Sequence, residues 1–421
     1  MRALGSVVLG EDRTLYAILA SLITVVAMGW LVAAVLDRLG RSRPELRIGQ
    51  PVLLAAAARV LCAALFSAVP ALQHVRGTDE TQFLSEANAI LHGVAIGNHG
   101  NGIWSPSGGS LHSYVFAGQI KIFGDAGVFH LRLAQIGLGV VAIVLVAVAV
   151  YDLAGGRAAR LTAWLLAVEP SNVFFSGLVH KEALLLLAGG LLIYGGAQVY
   201  TRRRPVGALF IAVAVMLALM IRPYVGIALG AAALAIAAHA GLRRLGPWRR
   251  RALVLSAACV VLLIGGTAYV LHRGDILQHL QRSQDSYSQN PGNLTLQPID
   301  VSTPGHLISN LPVRLGGFLF QPFPWQVGDT SQRFGVLGTS VAWVLLATLV
   351  VLAIARRRVL VTRAPPLVYM FLAVTVAYAL STGNAGTGFR YRTHVLVAVC
   401  ALVCVLMPER VSRRAAPVPA T

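Results

Sequence analysis

Long apolar segments alternate with short polar ones along almost the whole chain. Segments of about 20 apolar residues recur, and a stretch of that length crosses the hydrocarbon core of a bilayer as a helix. Because lipid offers the backbone no hydrogen-bond partner, each segment is predicted to be a transmembrane helix. The pattern therefore predicts an all-α polytopic membrane protein with about eleven spans. The expected spans are 14–36, 51–73, 131–151, 161–177, 182–200, 207–221, 224–240, 252–271, 337–355, 366–381 and 394–407.

Two connections between these spans are long, at residues 74–130 and 272–336, within a single integral membrane domain over residues 1–421. The first is predicted to open with a short acidic helix and to re-enter the membrane interface near Tyr114. The second carries closely spaced aromatic and proline residues from Phe318 to Trp325, which is typical of a segment at headgroup depth.

Composition supports the membrane assignment and adds an orientation. Hydrophobic residues make up 56% of the chain and charged residues 12%, which excludes an ordinary soluble globule. The formal net charge is +19, but the arginines cluster in every second connection, as the positive-inside rule predicts, so no nucleic-acid partner is expected. This places the N-terminus and both long connections outside and the C-terminus in the cytoplasm. The excess of Arg over Lys is typical of a GC-rich bacterial gene, which indicates the plasma membrane of a bacterium.

Adjacent carboxylates open the first long connection, at Asp79 and Glu80. Paired carboxylates can divide the work between accepting a proton and holding a metal ion or a hydroxyl. The structural alternative is a helix cap, in which Thr78 or Asp79 begins the helix and Gln82 completes a capping box. Both interpretations remain open at this level.

Charged residues at the predicted outer ends of three spans form a second set of candidates. Lys181 and Glu182 enter an apolar helix, where charges are expensive and are usually functional or mutually paired. Arg222, Arg390 and Arg392 lie on the face that the positive-inside rule disfavours. A phosphate ligand would explain them, since guanidinium groups match its oxygens. The alternatives are a structural ion pair for Lys181 and Glu182, and snorkelling or acid pairing for the arginines.

The order of these motifs resembles the C-type glycosyltransferase (GT-C) superfamily, in particular the bacterial relatives of protein O-mannosyltransferases and aminoarabinose transferases. The resemblance covers about residues 51–200. Its motifs are Asp79-Glu80, Ala87, Leu91-His92-Gly93, Tyr114, Phe123-Gly124, Arg132, Tyr151-Asp152-Leu153, Pro170, Phe175-Ser176-Gly177 and Glu182. The chain departs from the family in having Lys181 where a small residue is usual, one extra N-terminal span, and no soluble outer domain.

The resemblance implies a membrane glycosyltransferase that uses a polyprenyl-phosphate-linked sugar. The sugar would pass to an acceptor hydroxyl of a glycan, lipid or protein at the outer face, with inversion. Asp79 would take the acceptor proton, while Glu80 and Glu182 would position the acceptor or a divalent metal such as Mg²⁺ or Mn²⁺, whose requirement stays open. The expected ligands of the donor phosphate are Arg390, Arg392, Arg222 and Lys181.

Two other functions are compatible with the same inventory. A surface-polysaccharide polymerase or ligase would use lipid-diphosphate-linked sugars at the same face. A transporter or flippase for lipid-linked sugars would favour charges near span centres and visible internal repeats, whereas the charges here lie at span ends.

Overall fold

The computed structural model describes residues 11–69, 79–94, 111–123, 128–202, 204–243, 299–328 and 330–408, together with residues 278, 281, 282, 285 and 296. All regular elements in this part of the chain are helical. They are α1 (Glu11–Ser42), α2 (Gly49–Ala68), α3 (Asp79–Leu91), α4 (Leu111–Phe123), α5 (Val128–Val168), α6 (Pro170–Ser176), α7 (Glu182–Ala197), α8 (Val206–Ile221), α9 (Pro223–Leu242), α10 (Pro304–Phe320), α11 (Thr330–Ala355), α12 (Arg357–Arg363), α13 (Pro365–Ser381) and α14 (Ala385–Leu406). A π-helical turn, Gln198–Arg202, extends α7.

Seven of the described helices are long and apolar enough to cross a membrane, and the bent pair α12 and α13 raises the number to eight if it forms one span. The predicted class, an all-α polytopic membrane protein, is confirmed. The apolar helix α8 has 16 residues and is shorter than these helices. The expected span 252–271 lies outside the described residues. The total of about eleven spans therefore stays a prediction.

The long helix α5 contains a reversal at Gly155, whose backbone has φ +84° and ψ 177°. Only glycine adopts such a conformation readily. A Cβ atom on Gly139 would lie 2.9 Å from the Cβ atom of Ser176, so residues on either side of Gly155 return to the same level. The chain thus runs down and back, which agrees with the two spans predicted at 131–151 and 161–177.

Burial separates central helices from peripheral ones. The apolar windows of α5, α7 and α14 are mostly buried, whereas at most a third of the corresponding window is buried in α1, α2 and α11. Exposed apolar side chains are stable where a bilayer covers them. The central helices α7 and α14 begin with charged segments, and this places charge at one end of a buried apolar core.

The two long connections contain helices of their own. In the first, α4 covers the apolar segment around Tyr114 and packs against α3. In the second, α10 begins at Thr303, whose hydroxyl accepts a hydrogen bond from the His306 amide at 3.2 Å. A short 3₁₀ turn follows at Pro324–Gln326, where Trp325 is exposed.

Candidate functional site

Two arginine side chains from different parts of the chain meet at the Glu182 carboxylate. Arg222 Nη2 donates to Glu182 Oε1 at 2.9 Å, and Arg390 Nε lies 3.2 Å from the same oxygen. Glu182 is the first residue of α7, Arg222 separates α8 from α9, and Arg390 lies in the second turn of α14. The structure therefore brings together three of the predicted site residues, which are far apart in sequence.

Local sequence explains why Arg222 points into this cluster. The following residue, Pro223, is the first residue of α9, and a residue before proline is driven out of the helical region. Arg222 has φ −142° and ψ 98°, an extended conformation between two helices. The backbone at Arg222 therefore continues neither helix, and the side chain is directed to Glu182.

Within the described residues, the cluster brings two guanidinium groups to one carboxylate. Arg222 lies 4.3 Å from the centre of the Tyr391 ring, and Arg390 lies 5.6 Å from the same ring. Within the part of the chain that the structure describes, Glu182 Oε2 and Arg222 Nη1 are buried without a hydrogen-bond partner. Buried polar atoms are normally satisfied. An unsatisfied guanidinium donor beside a second guanidinium is suited to binding an anion.

Lys181 lies next to this cluster and is buried as well. Its ammonium group sits 5.0 Å from the centre of the Phe83 ring on α3, and no described carboxylate lies within ion-pair distance. Burial lowers the pKa of Lys181 to about 7, and the nearby charge of Arg222 acts in the same direction. The side chain thus stands between α3 and the arginine cluster, with a proton that it can lose near neutral pH.

The acidic helix α3 starts at Asp79, as the sequence predicts, but the side chain of Asp79 lies outside the described residues. Its neighbour Glu80 is buried and accepts hydrogen bonds from Arg132 Nε at 2.9 Å and Arg132 Nη2 at 2.6 Å. The backbone amide of Val179 donates to Glu80 Oε1 at 3.1 Å. Glu80 therefore ties α3 to α5 and to the turn that precedes Lys181.

Two opposing effects set the pKa of Glu80. Burial raises the pKa of this carboxyl, but the hydrogen bonds and charge of Arg132 outweigh burial and leave it below its ordinary value. The carboxylate form is the one that these donors stabilise. Glu80 is thus ionised and engaged by its partners.

Arg392 lies apart from the other predicted phosphate ligands. It is two residues after Arg390 on α14, a rotation of about 200° around the helix. Its Nε donates to the Phe318 carbonyl at 3.1 Å and its Nη1 to Thr339 Oγ1 at 3.0 Å, while Nη2 donates to the Gln321 carbonyl. These contacts hold the end of α10 against α11. The phosphate role of Arg392 stays a prediction.

Two aromatic residues contribute to the site and are absent from the sequence-based set. Tyr391 lies beneath both Arg222 and Arg390, and Phe83 lies beneath Lys181. The sequence position of each residue could have indicated it. Tyr391 separates two predicted arginines, and Phe83 follows Asp79 by one helical turn.

Metal binding is not supported by a cluster within the described residues. No group of three or more His, Cys, Asp or Glu side chains there is arranged to hold a metal ion. Glu80 and Glu182, the two carboxylates proposed as metal ligands, are held by arginines instead. Since the side chain of Asp79 and residues 95–110 lie outside the described part, the requirement for Mg²⁺ or Mn²⁺ stays open.

Comparison with protein families gives a match to part of the chain. The family described as dolichyl-phosphate-mannose-protein mannosyltransferase matches residues 108–267, which is less than half of the chain. Lys181, Glu182 and Arg222 fall within the matched segment, whereas Asp79 and Arg390 fall outside it. No curated protein matches the chain. No solved structure matches it either.

Proposed function

We propose that this chain is a membrane glycosyltransferase of the GT-C superfamily, and that it transfers a sugar from a polyprenyl-phosphate donor to an acceptor hydroxyl. The match to a mannosyltransferase family indicates a lipid-linked sugar donor in a multi-pass membrane protein. The nature of the lipid phosphate, the inversion at carbon one and the roles of the residues below are our proposal.

The observation that carries this proposal is the convergence of two arginines, with Lys181 nearby, on the single carboxylate of Glu182 within the described residues. One carboxylate faces two guanidinium groups at 2.9 and 3.2 Å, and Lys181 adds a third cation nearby. A phosphate group between these cations would place negative charge beside them, and it could accept hydrogen bonds from their guanidinium groups.

The proposed reaction is a single displacement at the anomeric carbon. Asp79 accepts the proton of the acceptor hydroxyl as its oxygen forms a bond to carbon one. The bond from carbon one to the phosphate oxygen breaks, and the lipid phosphate leaves with the bonding electrons. Arg222 and Arg390 stabilise the charge that develops on it, with Lys181 beside them. Attack opposite the leaving group gives inversion.

The other predicted site residues take positioning roles in this proposal. Glu182 holds Arg222 and Arg390 at a fixed separation, which pre-organises them for the phosphate. Glu80 fixes the start of α3, and with it Asp79, against the turn before Lys181. Arg392 holds α10 in place behind Arg390.

The outer face of a bacterial plasma membrane is the proposed location of this chemistry. Helix α7 begins at Glu182, and the turn that extends it ends at Arg202, which pairs with Asp152 at 2.6 Å. Asp152 also pairs with Arg43 at 3.3 Å, so arginines collect at the end of the bundle opposite the site. The positive-inside rule then supports a cytoplasmic arginine-rich end, an outer site, an outer N-terminus and a cytoplasmic C-terminus.

Transfer from defined donors tests the function. Membranes that contain the wild-type chain are incubated separately with labelled polyprenyl-phosphate mannose, glucose and arabinose, and transfer to endogenous acceptors is measured. Asp79→Asn should reduce transfer by about 100-fold or more, since general base catalysis contributes 10²–10⁴-fold. Asp300→Asn is the matched control, because Asp300 is an exposed carboxylate that contacts Ser302 and His306.

Three outcomes would contradict the proposal. Wild-type transfer by an Asp79→Asn variant that inserts normally would remove Asp79 from the mechanism. Activity with a lipid-diphosphate oligosaccharide, and with none of the monophosphate donors, would favour the polymerase or ligase. Movement of lipid-linked sugar across vesicles without any transfer would indicate a transporter.

A further inference from the structure

We propose that α12 and the arginines beside it form a binding surface for the headgroups of anionic phospholipids. The surface, here called the basic surface, consists of Arg243, Arg356, Arg357, Arg358 and Arg363. It lies at the arginine-rich end of the bundle, away from Glu182. The inference is independent of the proposed transfer reaction.

The orientation of α12 places it along the plane of the membrane. It connects the end of the candidate span in α11 at Ala355 with the start of α13 at Pro365. The axes of α12 and α13 differ by 95°. With α13 as the span predicted at 366–381, a helix at a right angle to it and at its arginine-rich end is suited to the level of the lipid headgroups.

Contacts from two other elements fix α12 in this place. The carbonyl of Thr362 accepts hydrogen bonds from the Tyr200 hydroxyl at 2.9 Å and from Arg243 Nη1 at 3.5 Å. Arg243 also lies 4.8 Å from the centre of the Tyr200 ring. These contacts bring the end of α9 next to the end of α12, so that Arg243 and Arg363 belong to one surface.

The two faces of α12 differ as those of an interfacial helix do. Val359 and Leu360 pack against the apolar core, while Arg356, Arg357 and Arg358 are exposed. Val361 is 57% exposed among these cations. An exposed apolar side chain within a basic surface is suited to the boundary between headgroups and acyl chains.

Within the described residues, little negative charge lies near Arg356, Arg357 and Arg358. Residues 183–274 and 330–408 contain no Asp or Glu. Asp152, on the same end of the bundle, is already held by Arg43 and Arg202. No ion pair within the described residues involves Arg356, Arg357 or Arg358.

Lipid phosphates are the partner that this geometry fits. Anionic headgroups lie at the depth of α12 and attract each nearby arginine by about 1 kcal/mol, which corresponds to about fivefold in affinity. Three exposed arginines in consecutive positions then predict about 100-fold selectivity for an anionic over a zwitterionic lipid at low salt. Screening should reduce this selectivity as ionic strength rises.

Lipid titration of the purified full-length chain tests the proposal. The delipidated protein in detergent is titrated with phosphatidylglycerol or phosphatidylcholine, and bound lipid is counted by native mass spectrometry. The triple variant R356Q/R357Q/R358Q should bind phosphatidylglycerol at least tenfold more weakly than the wild type, with no change for phosphatidylcholine. The control R38Q/R41Q removes two exposed arginines of α1, which are not part of the basic surface, and should retain the wild-type preference.

Equal binding of the two lipids by the wild type would overturn the proposal, as would full retention of selectivity in the triple variant. An equal loss in R38Q/R41Q would also overturn it, since net charge and not this surface would then set lipid preference. Thermal unfolding in phosphatidylcholine nanodiscs verifies folding, and unchanged midpoints are expected for all variants there. If the triple variant fails this check, the single variants R357Q and R358Q, each with an expected loss of about fivefold, replace it.

Discussion

Replacing Glu80 with glutamine separates a structural role from a catalytic one. Glu80 is buried, and its carboxylate accepts three hydrogen bonds: two from Arg132, at 2.9 and 2.6 Å, and one from the Val179 amide at 3.1 Å. Glutamine keeps the shape of the side chain but loses the charge and replaces one acceptor oxygen with a donor. That donor faces Arg132, which has no acceptor to offer.

The expected loss of stability follows from what Arg132 retains. Breaking a buried ion pair by removing one partner costs about 3–5 kcal/mol, because the remaining charge stays buried. Arg132 keeps hydrogen bonds to the Ala63 carbonyl at 3.3 Å and to the Ser67 hydroxyl. We therefore expect the lower end of the range, about 3 kcal/mol, for Glu80→Gln.

A double-mutant cycle with Arg132→Gln measures the pair directly. Unfolding free energies are obtained by SDS titration in detergent micelles for the wild type, both single variants and the double variant, with transfer measured in parallel. Because the double variant leaves no buried unpaired charge, its loss should be smaller than the sum of the single losses by about 1–3 kcal/mol. Glu86→Gln on the same helix is the matched control, because Glu86 accepts an ordinary side-chain hydrogen bond from the Ser113 hydroxyl at 2.7 Å.

The pH dependence gives an independent test of the same contact. The pKa of Glu80 is lower in the folded protein than its ordinary value, so its stabilisation is fully present above the ordinary pKa of glutamate. It is lost as the pH falls through the lowered pKa. The wild type should therefore lose stability on acidification more steeply than Glu80→Gln. Abolished transfer with unchanged stability and strict additivity in the cycle would refute this reasoning and assign Glu80 to the chemistry.

Three further predictions concern the cationic part of the site. The KM for donor should rise as the pH increases through about 7, because Lys181 then loses its charge, and a Lys181→Arg variant should flatten this profile; a pH-independent wild-type KM would exclude Lys181 from donor binding. Arg392→Gln should lower the unfolding free energy by about 1–3 kcal/mol, because it leaves carbonyls without a donor, and it should not change the donor KM. Arg390→Gln should raise the donor KM about tenfold or more. A raised KM in Arg392→Gln would restore the phosphate role of Arg392. Glu182→Gln should destabilise the protein without donor by about 3–5 kcal/mol. Donor should raise the unfolding midpoint of this variant more than that of the wild type, because phosphate replaces the lost counter-charge. Equal donor-induced shifts of the two midpoints would contradict this.

Hydrophobic pattern was sufficient for the helical class and for most helix positions, because lipid leaves the backbone few alternatives. It did not show how the two spans predicted at 131–151 and 161–177 are joined. There, a reversal at Gly155 joins two spans in one helical element, and the deciding property is the positive φ of one glycine. Sequence composition alone does not distinguish that glycine from the many others.

The start of α14 explains why Arg390 and Arg392 were grouped together. The apolar pattern places the beginning of this span at residue 394, which leaves both arginines in a connection. The helix begins nine residues earlier, at Ala385, because Asn384 caps it by accepting a hydrogen bond from the Thr387 amide at 2.7 Å. Two residues of helix then direct Arg390 and Arg392 to different neighbours. An asparagine at this position is a known helix cap, but a cap does not change the hydropathy pattern from which the span was predicted.

The partner of Glu80 could not be identified in the same way. Arg132 is 52 residues away in sequence. The sequence does not distinguish it from the many other arginines of the chain. The pairing depends on how α3 packs beside α5, which no local pattern specifies. In contrast, Arg222 is fixed by its own neighbour Pro223, so a local rule was enough to place it between two helices.

The contacts around the turn before α7 link the acidic and cationic parts of the site mechanically. Val179 donates to Glu80, Lys181 contacts Phe83, and Glu182 holds Arg222, all within four residues of backbone. An anion drawn to Lys181 and the arginines therefore acts on the same segment that fixes the start of α3. Donor binding and the position of the proposed base should thus be coupled. The coupling energy between Glu80→Gln and Lys181→Met, measured on donor KM, is expected to differ from zero, and additive effects would show that the two parts of the site act independently.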